Sequence, residues 1–183
     1  MIFTTKKLVT MALLSAIAYI IAYFAHILKI PVVPAAPFLT LDAKDAIIVT
    51  GGFLYGPFAV LMMSFVVSVA ESFLSGTGHF GILMNMISTC AFACTAALAY
   101  KIRKDFIGAV TGLAVGCVCV TLVMLPANYI ITPFYMGVPR EVVANLLLPG
   151  ILPFNLLKSV VNACLAALLY KPVKLIFTKA KLN

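Results

Sequence analysis

Pro153-Phe154-Asn155-Leu156-Leu157-Lys158 opens the last apolar segment of the chain, and Val160, Val161, Ala163 and Leu165 follow it. A lysine inside hydrocarbon costs several kcal/mol or more, so an intramembrane lysine marks a functional position by default. Asn155 and Lys158 are three apart and Asn162 is four further on, which puts all three on one face of a helix. With the helix starting near Ile151, Lys158 lies roughly 10 Å along it at about 1.5 Å per residue. A lysine near a helix end also reaches water by snorkelling. The strain of doing so from that depth, and the two amides beside it, favour an inward-facing polar site.

The remaining sequence says that the medium is lipid. Of 183 residues 64% are hydrophobic and 10% charged, with a mean hydropathy of +1.17. A soluble domain of this size cannot hide so much apolar surface, so the expected class is an all-α integral membrane protein in one domain, 1–183. Barrel strands would give short alternating segments, whereas these apolar runs are long and continuous. A net charge of +8 suggests nucleic acid only until the cations are located. Most flank apolar runs, the pattern of topology signals, so no nucleic-acid partner is expected. Cys90, Cys94, Cys117, Cys119 and Cys164 all fall inside apolar runs and read as small buried hydrophobes; no metal or other cofactor is expected. Lys6 and Lys7 before an apolar run resemble a signal peptide, but the run is long and further spans follow, which reads as a retained helix.

Six spans are expected, at about 8–28, 46–55, 58–74, 82–100, 106–131 and 151–170. The second is too short to cross alone unless preceding residues join it. Pro31, Pro34 and Pro37 make Lys29–Asp45 a long loop, and Asp42, Lys44 and Asp45 close it. Gly56-Pro57 is a turn, and Ser75–Gly81 reads as a glycine-rich loop. Glu71 stands near the end of span three. Gly108, Gly112 and Gly116 suit close helix packing, Pro126 is expected to kink or loosen span five, and Pro133–Pro149 reads as a loop with a short helix near Glu141–Leu147. There is no G-x-x-x-x-G-K-[ST], so no visible means of hydrolysing ATP. With six spans and the N-terminus inside, nine cations lie inside against Lys29, Lys44 and Arg140 outside. That bias puts both termini in the cytoplasm. The first loop, Asn85, Asn128, Asn155 and Lys158 then converge on the outer half. Unpartnered amides there are costly, and a polar ligand would supply their hydrogen bonds.

Phe38-Leu39-Thr40-Leu41-Asp42 with Asp45, Gly52-Phe53-Leu54-Tyr55-Gly56-Pro57, Gly78-His79-Phe80-Gly81 with Asn85, Asn128-Tyr129 with Pro133-Phe134-Tyr135, and the Pro153–Lys158 stretch together resemble the riboflavin-binding S-components of energy-coupling factor (ECF) vitamin transporters. The resemblance covers essentially the whole chain, and the Asn128, Asn155 and Lys158 set is its most specific part. It implies a cell-membrane protein that binds riboflavin from outside and docks on a membrane T-component carrying two cytoplasmic ATPases. The implied ligand residues are Asn128, Asn155 and Lys158 at the ring edge, Phe38, Leu39 and Leu41 of the first loop around the ring, main-chain groups near Gly81 and Asp42 toward the ribityl chain, and Asn85. Asparagine donates and accepts, and lysine donates to a ring carbonyl or nitrogen. The resemblance places Ala12 and Ala16, four apart on span one, on the face that meets the T-component, where small side chains let backbones approach; Ala18 and Ala22 form a second pair on another face.

The nearest rival is an S-component for a related flavin or another vitamin. An intramembrane enzyme has little support, since only His26 and His79 are available and no nucleophile–base set appears. A channel has little too, because few charges line any span. On the sequence alone, removing Lys158 is expected to weaken ligand binding far more than folding, and even to stabilise the empty protein.

Overall fold

The computed structural model describes residues 4–29, 32–36, 38–75 and 78–179. Pro31 and Pro37 of the first loop, Gly76 and Thr77 of the glycine-rich stretch and Lys181 lie outside the described residues. The elements are α1 (Thr5–Leu28), α2 (Lys44–Tyr55), α3 (Pro57–Ser75), α4 (Gly78–Ile102), α5 (Phe106–Met136), α6 (Arg140–Leu146), a π turn (Leu147–Ile151) and α7 (Leu152–Lys179). The described residues build an all-helical fold. Among them five stretches are long and apolar enough to cross a membrane: α1, α3, α4, α5, and the run from Arg140 to Lys179 that contains α7.

α2 is different. Its 12 residues reach about 18 Å at ~1.5 Å per residue, well under the ~30 Å of a hydrocarbon core. It packs on α1, α3, α4 and α7, and Lys44, Asp45, Ala46, Ile48, Val49, Thr50, Gly51 and Gly52 are all buried. A helix enclosed by protein has no need to match the lipid thickness, and the irregular backbone before it is tolerated where it lines a cavity. Around it Met63, Val67, Phe92, Ala93, Ala96, Leu113, Val120 and Ala166 complete one core.

Contacts between helix ends fix the up-and-down order. Lys7 lies over the Tyr55 ring at 5.9 Å, Tyr55 meets Phe177 at 6.4 Å, and the hydroxyls of Tyr100 and Tyr170 are 2.9 Å apart. One end of the bundle therefore gathers the start of α1, the α2–α3 turn, the end of α4 and the end of α7. The other end gathers the α1–α2 connection and the α3–α4 and α5–α7 junctions. Gly56 carries the α2–α3 turn at φ 90°, in the region that favours glycine, and Pro57 opens α3.

Several expected boundaries move. Gly78–Gly81 belongs to α4, not to a loop. The segment expected as a loop from Pro133 is helical to Met136, then forms α6 and a π turn that leads into α7 without a break. Pro126 and Pro133 both lie inside α5. Each removes one helix hydrogen bond, and packing within a membrane bundle tolerates that. At the π turn the Leu152 N–H bonds to the Leu147 carbonyl, which carries the chain past Pro149. α7 continues nine residues beyond Tyr170, to Lys179, because its lysine stems lie along apolar surface. The Lys171 and Lys174 ammoniums sit 5.4 and 5.3 Å from the Phe106 and Tyr170 ring centroids.

The glycines of α5 allow its close approach to α4, as their spacing suggested. A Cβ at Gly112 would lie 2.7 Å from the Ala96 carbonyl oxygen, and one at Gly116 2.6 Å from that of Phe92. Both obstacles are backbone, so neither yields by a rotamer change. Gly116→Val is expected to destabilise the protein by about 1–3 kcal/mol through overpacking. Val115, which is half exposed beside it, serves as comparison in a thermal-unfolding series in detergent. A Gly116→Val midpoint no lower than that of Val115→Leu would show that the α4–α5 contact is not tight.

Candidate functional site

The end of the bundle away from the lysine-rich termini contains a cavity of about 200 Å³. Helix periodicity explains which residues reach it. α5 presents Met124, Asn128 and Tyr135, and α7 presents Phe154, Asn155 and Lys158. α4 contributes Met84, Asn85 and Ser88, α3 contributes Glu71 and Leu74, and α1 contributes Ala22, Ala25 and His26. Phe38, Leu39, Thr40 and Asp42 of the α1–α2 connection, with Lys44 at the start of α2, close the ring. Gly150 lets that connection come close, since a Cβ there would lie 3.0 Å from the Cβ of the fully buried Ala36.

Of the nine residues expected at a ligand, Phe38, Leu39, Asp42, Asn85, Asn128, Asn155 and Lys158 line this cavity. Leu41 is partly buried in the connection but is not on the wall. Gly81 lies in the first turn of α4, also off the wall, because the stretch expected to be a loop is helix there.

Lys158 does not snorkel. Its ammonium donates to Asp42 Oδ2 at 2.7 Å and lies 3.8 Å from Asp45 Oδ2. Burial alone would raise the Asp42 pKa; the ammoniums of Lys158 and then Lys44 outweigh it and hold its carboxyl below the usual range. Beside it the buried Lys44 pairs with Glu71, and Asn85 Nδ2 donates to the same Glu71 oxygen at 2.8 Å. Thr89 Oγ1 donates to Asp45 Oδ1 at 2.7 Å. Three of the five carboxylates in the chain thus meet two lysines in one place.

The polar stripe on α7 divides in function. Asn155 and Lys158 reach the cavity, whereas Asn162 is fully buried and ties elements together. Asn162 Oδ1 accepts from the Ala46 N–H at 2.8 Å, and its Nδ2 donates to the Asp42 carbonyl at 2.9 Å. Asn128 Nδ2 donates to the Met124 carbonyl at 2.8 Å, and its Oδ1 accepts from Thr132 Oγ1 at 2.9 Å. Asn155 Nδ2 donates to the Ile151 carbonyl at 2.8 Å, leaving its Oδ1 without a partner among the described residues. The wall thus offers amides, ammoniums and carboxylates together with Phe38, Phe154, Tyr135, Leu39 and Met84. Such a surface suits a flat, largely apolar molecule with hydrogen-bonding groups at its edge.

Lys44 and Glu71 are the residues that sequence reasoning left without a role. The signal was present, because a glutamate near the end of an apolar helix is as costly as Lys158 and needs a partner. Tyr135 and Phe154 carried no signal apart from their neighbours.

Known proteins resemble this chain along most of its length. The Riboflavin transporter RibU of Staphylococcus aureus (strain TCH60) is 30% identical over 172 residues, covering 91% of this chain and 89% of that protein. The Riboflavin transporter RibU of Streptococcus thermophilus (strain ATCC BAA-250 / LMG 18311) is 25% identical over 185 residues, covering 96% and 86%. A solved structure described as "Structure and mechanism of the S component of a bacterial ECF transporter" superposes with a TM-score of 0.79 and 28% identity, over 94% of this chain and 97% of that one. The family model described as ECF transporter, substrate-specific component, matches residues 6–170, and this chain belongs to that family.

Proposed function

We propose that this chain is the riboflavin-binding S-component of an ECF-type importer in the bacterial cell membrane, capturing riboflavin outside and releasing it inside when coupled to a T-component and two ATPases. The observation that carries the reading is the convergence of Asn128, Asn155 and Lys158 with the first loop on one cavity, at the end opposite the cationic termini. That charge distribution supports cytoplasmic termini and a cavity open to the outside. Counting the enclosed α2 gives six passes and the even number that this orientation needs.

Riboflavin is neutral, with a flat ring system bearing carbonyls and an N–H at one edge. Asn128 and Asn155 serve that edge, and Lys158 keeps protons to donate while paired with Asp42. Phe38, Leu39 and Phe154 flank the ring. Asp42 and Asn85, which line the cavity, serve the ribityl hydroxyls. The chain binds and does no chemistry of its own; the energy comes from the partner ATPases.

Ala12 and Ala16 are exposed, whereas Ala18 and Ala22 are buried. An apolar groove of about 350 Å³ runs between α1 and α3 beside the exposed pair. This supports Ala12 and Ala16 as the T-component face, with Ala18 and Ala22 as internal packing.

Purified protein should quench flavin fluorescence in detergent without ATP. Saturating riboflavin giving no signal and no heat, while another vitamin does, would reject the ligand. Asn155→Leu is expected to weaken riboflavin by about 1–3 kcal/mol, the cost of an unmade buried hydrogen bond, with a smaller effect on unfolding. Equal affinity in that variant would remove Asn155 from the site.

The ion pair reverses the stability expected for Lys158→Ala. Stranding Asp42 beside Asp45 costs about 3–5 kcal/mol, so the empty protein is destabilised as well as blind to riboflavin. Lys158→Met with Asp42→Asn should restore much of the unfolding midpoint but not the binding. If the single variant unfolds no earlier than wild type, the pair contributes nothing to the fold.

Ala16→Trp should abolish uptake and complex formation while leaving riboflavin binding by the isolated chain intact; Ala18→Trp should instead disrupt the fold. The opposite ranking would place docking elsewhere.

A further inference from the structure

The lysine-rich end of the bundle contains a second polar cavity, of about 380 Å³, on which Lys101, Lys104 and Lys174 converge from α4, the α4–α5 turn and α7. We propose that it binds a phosphate group, carried either by an anionic lipid or by a soluble phosphate.

Cations at this end are expected from topology alone, and some of them have partners elsewhere. Arg103 pairs with Asp105 at 2.7 Å, and Lys171 lies over the Phe106 ring. The three that line the cavity differ, because no carboxylate is on its wall. Among the described residues the ammoniums of Lys101 and Lys104 make no hydrogen bond or ion pair. Lys101 is set against the α2–α3 turn, with its Nζ 3.8 Å from where a Cβ of Gly56 would stand.

The interior of the cavity is built around a polar relay. Lys174 Nζ donates to the Tyr170 hydroxyl at 3.1 Å and to the Lys104 carbonyl at 3.3 Å. The Tyr170 and Tyr100 hydroxyls are 2.9 Å apart, and both tyrosines are more than nine-tenths buried. Either hydroxyl of this pair can donate to the other, and Tyr100 lines the cavity. Phe53, Leu54 and Ala97 form the apolar part of the wall. Three ammoniums with no carboxylate among the described lining residues, beside a tyrosine hydroxyl and apolar side chains, are complementary to an oxyanion of phosphate charge, for which lysine is a point-charge partner. Basic pockets between membrane helices on the cytoplasmic side hold lipid headgroups by the same logic.

The full chain is tested with two probes. Native mass spectrometry from detergent reads retention of phosphatidylglycerol against phosphatidylcholine. Thermal unfolding reads inorganic phosphate against chloride at equal ionic strength. A lipid source predicts a phosphatidylglycerol adduct on wild type that is at least tenfold weaker in Lys101→Gln/Lys174→Gln. A soluble source predicts a phosphate-dependent rise in the wild-type midpoint, lost in that variant, with the lipid adduct unchanged. Lys6→Gln/Lys179→Gln, at the same end but off the cavity, should behave as wild type. The proposal is overturned if wild type and Lys101→Gln/Lys174→Gln respond alike to both probes, or if the Lys6/Lys179 control loses as much. Riboflavin quenching on each sample reports folding independently. If the double variant fails that check, Lys101→Gln alone decides, because its ammonium makes no bond in the fold. Loss of quenching in wild type would reject the flavin reading and leave the phosphate result standing.

Discussion

The ion pair between Lys158 and Asp42 joins the last helix to the connection ahead of α2, and the site depends on it. Each charge alone would be intolerable at that depth. Together they fix the connection over the cavity, and Asn162 repeats the tie one turn further along α7 by binding the Asp42 carbonyl and the first turn of α2. The binding site is therefore not a pocket cut into a finished bundle. Its polar wall is the same set of contacts that positions α2.

That dependence explains why so short a helix sits in the middle. α2 begins at Lys44 and Asp45, both buried, and each finds its partner on a different neighbour: Glu71 on α3 for Lys44, Thr89 on α4 and Lys158 on α7 for Asp45. Burying charged pairs adds little to stability by comparison with a well-packed apolar core, and their clearer use is to specify one arrangement. Here they specify where α2 starts, and with it the depth of the cavity floor. The apolar half of α2, from Ile48 to Gly52, then packs into the shared core.

Much of this was legible in the sequence because lipid makes polarity informative. Asn128, Asn155 and Lys158 stood out for being polar where apolarity was expected, and helical spacing placed the last two on one face. Gly112 and Gly116 announced a close helix contact for the same reason. What was not legible was pairing. Nothing in the local sequence joins Lys158 to Asp42, 116 residues earlier, so the lysine read as a free donor. Element ends were also misjudged where proline and glycine were taken as marking loops. Pro133 lies inside α5 and Gly78 opens α4, because in a bundle the neighbouring helices, not the local propensity, decide where a helix ends.

The two ends of the bundle treat charge oppositely. At the cavity end, lysines and carboxylates are buried and matched with one another. At the other end, among the described residues, cations outnumber the carboxylate of Asp105. α1 links the two, since its inner face carries Ala22, Ala25 and His26 to the cavity and its outer face carries Ala12 and Ala16 in the other half. Under the proposed docking at Ala12 and Ala16, a partner on that outer half would touch the same helix that lines the cavity.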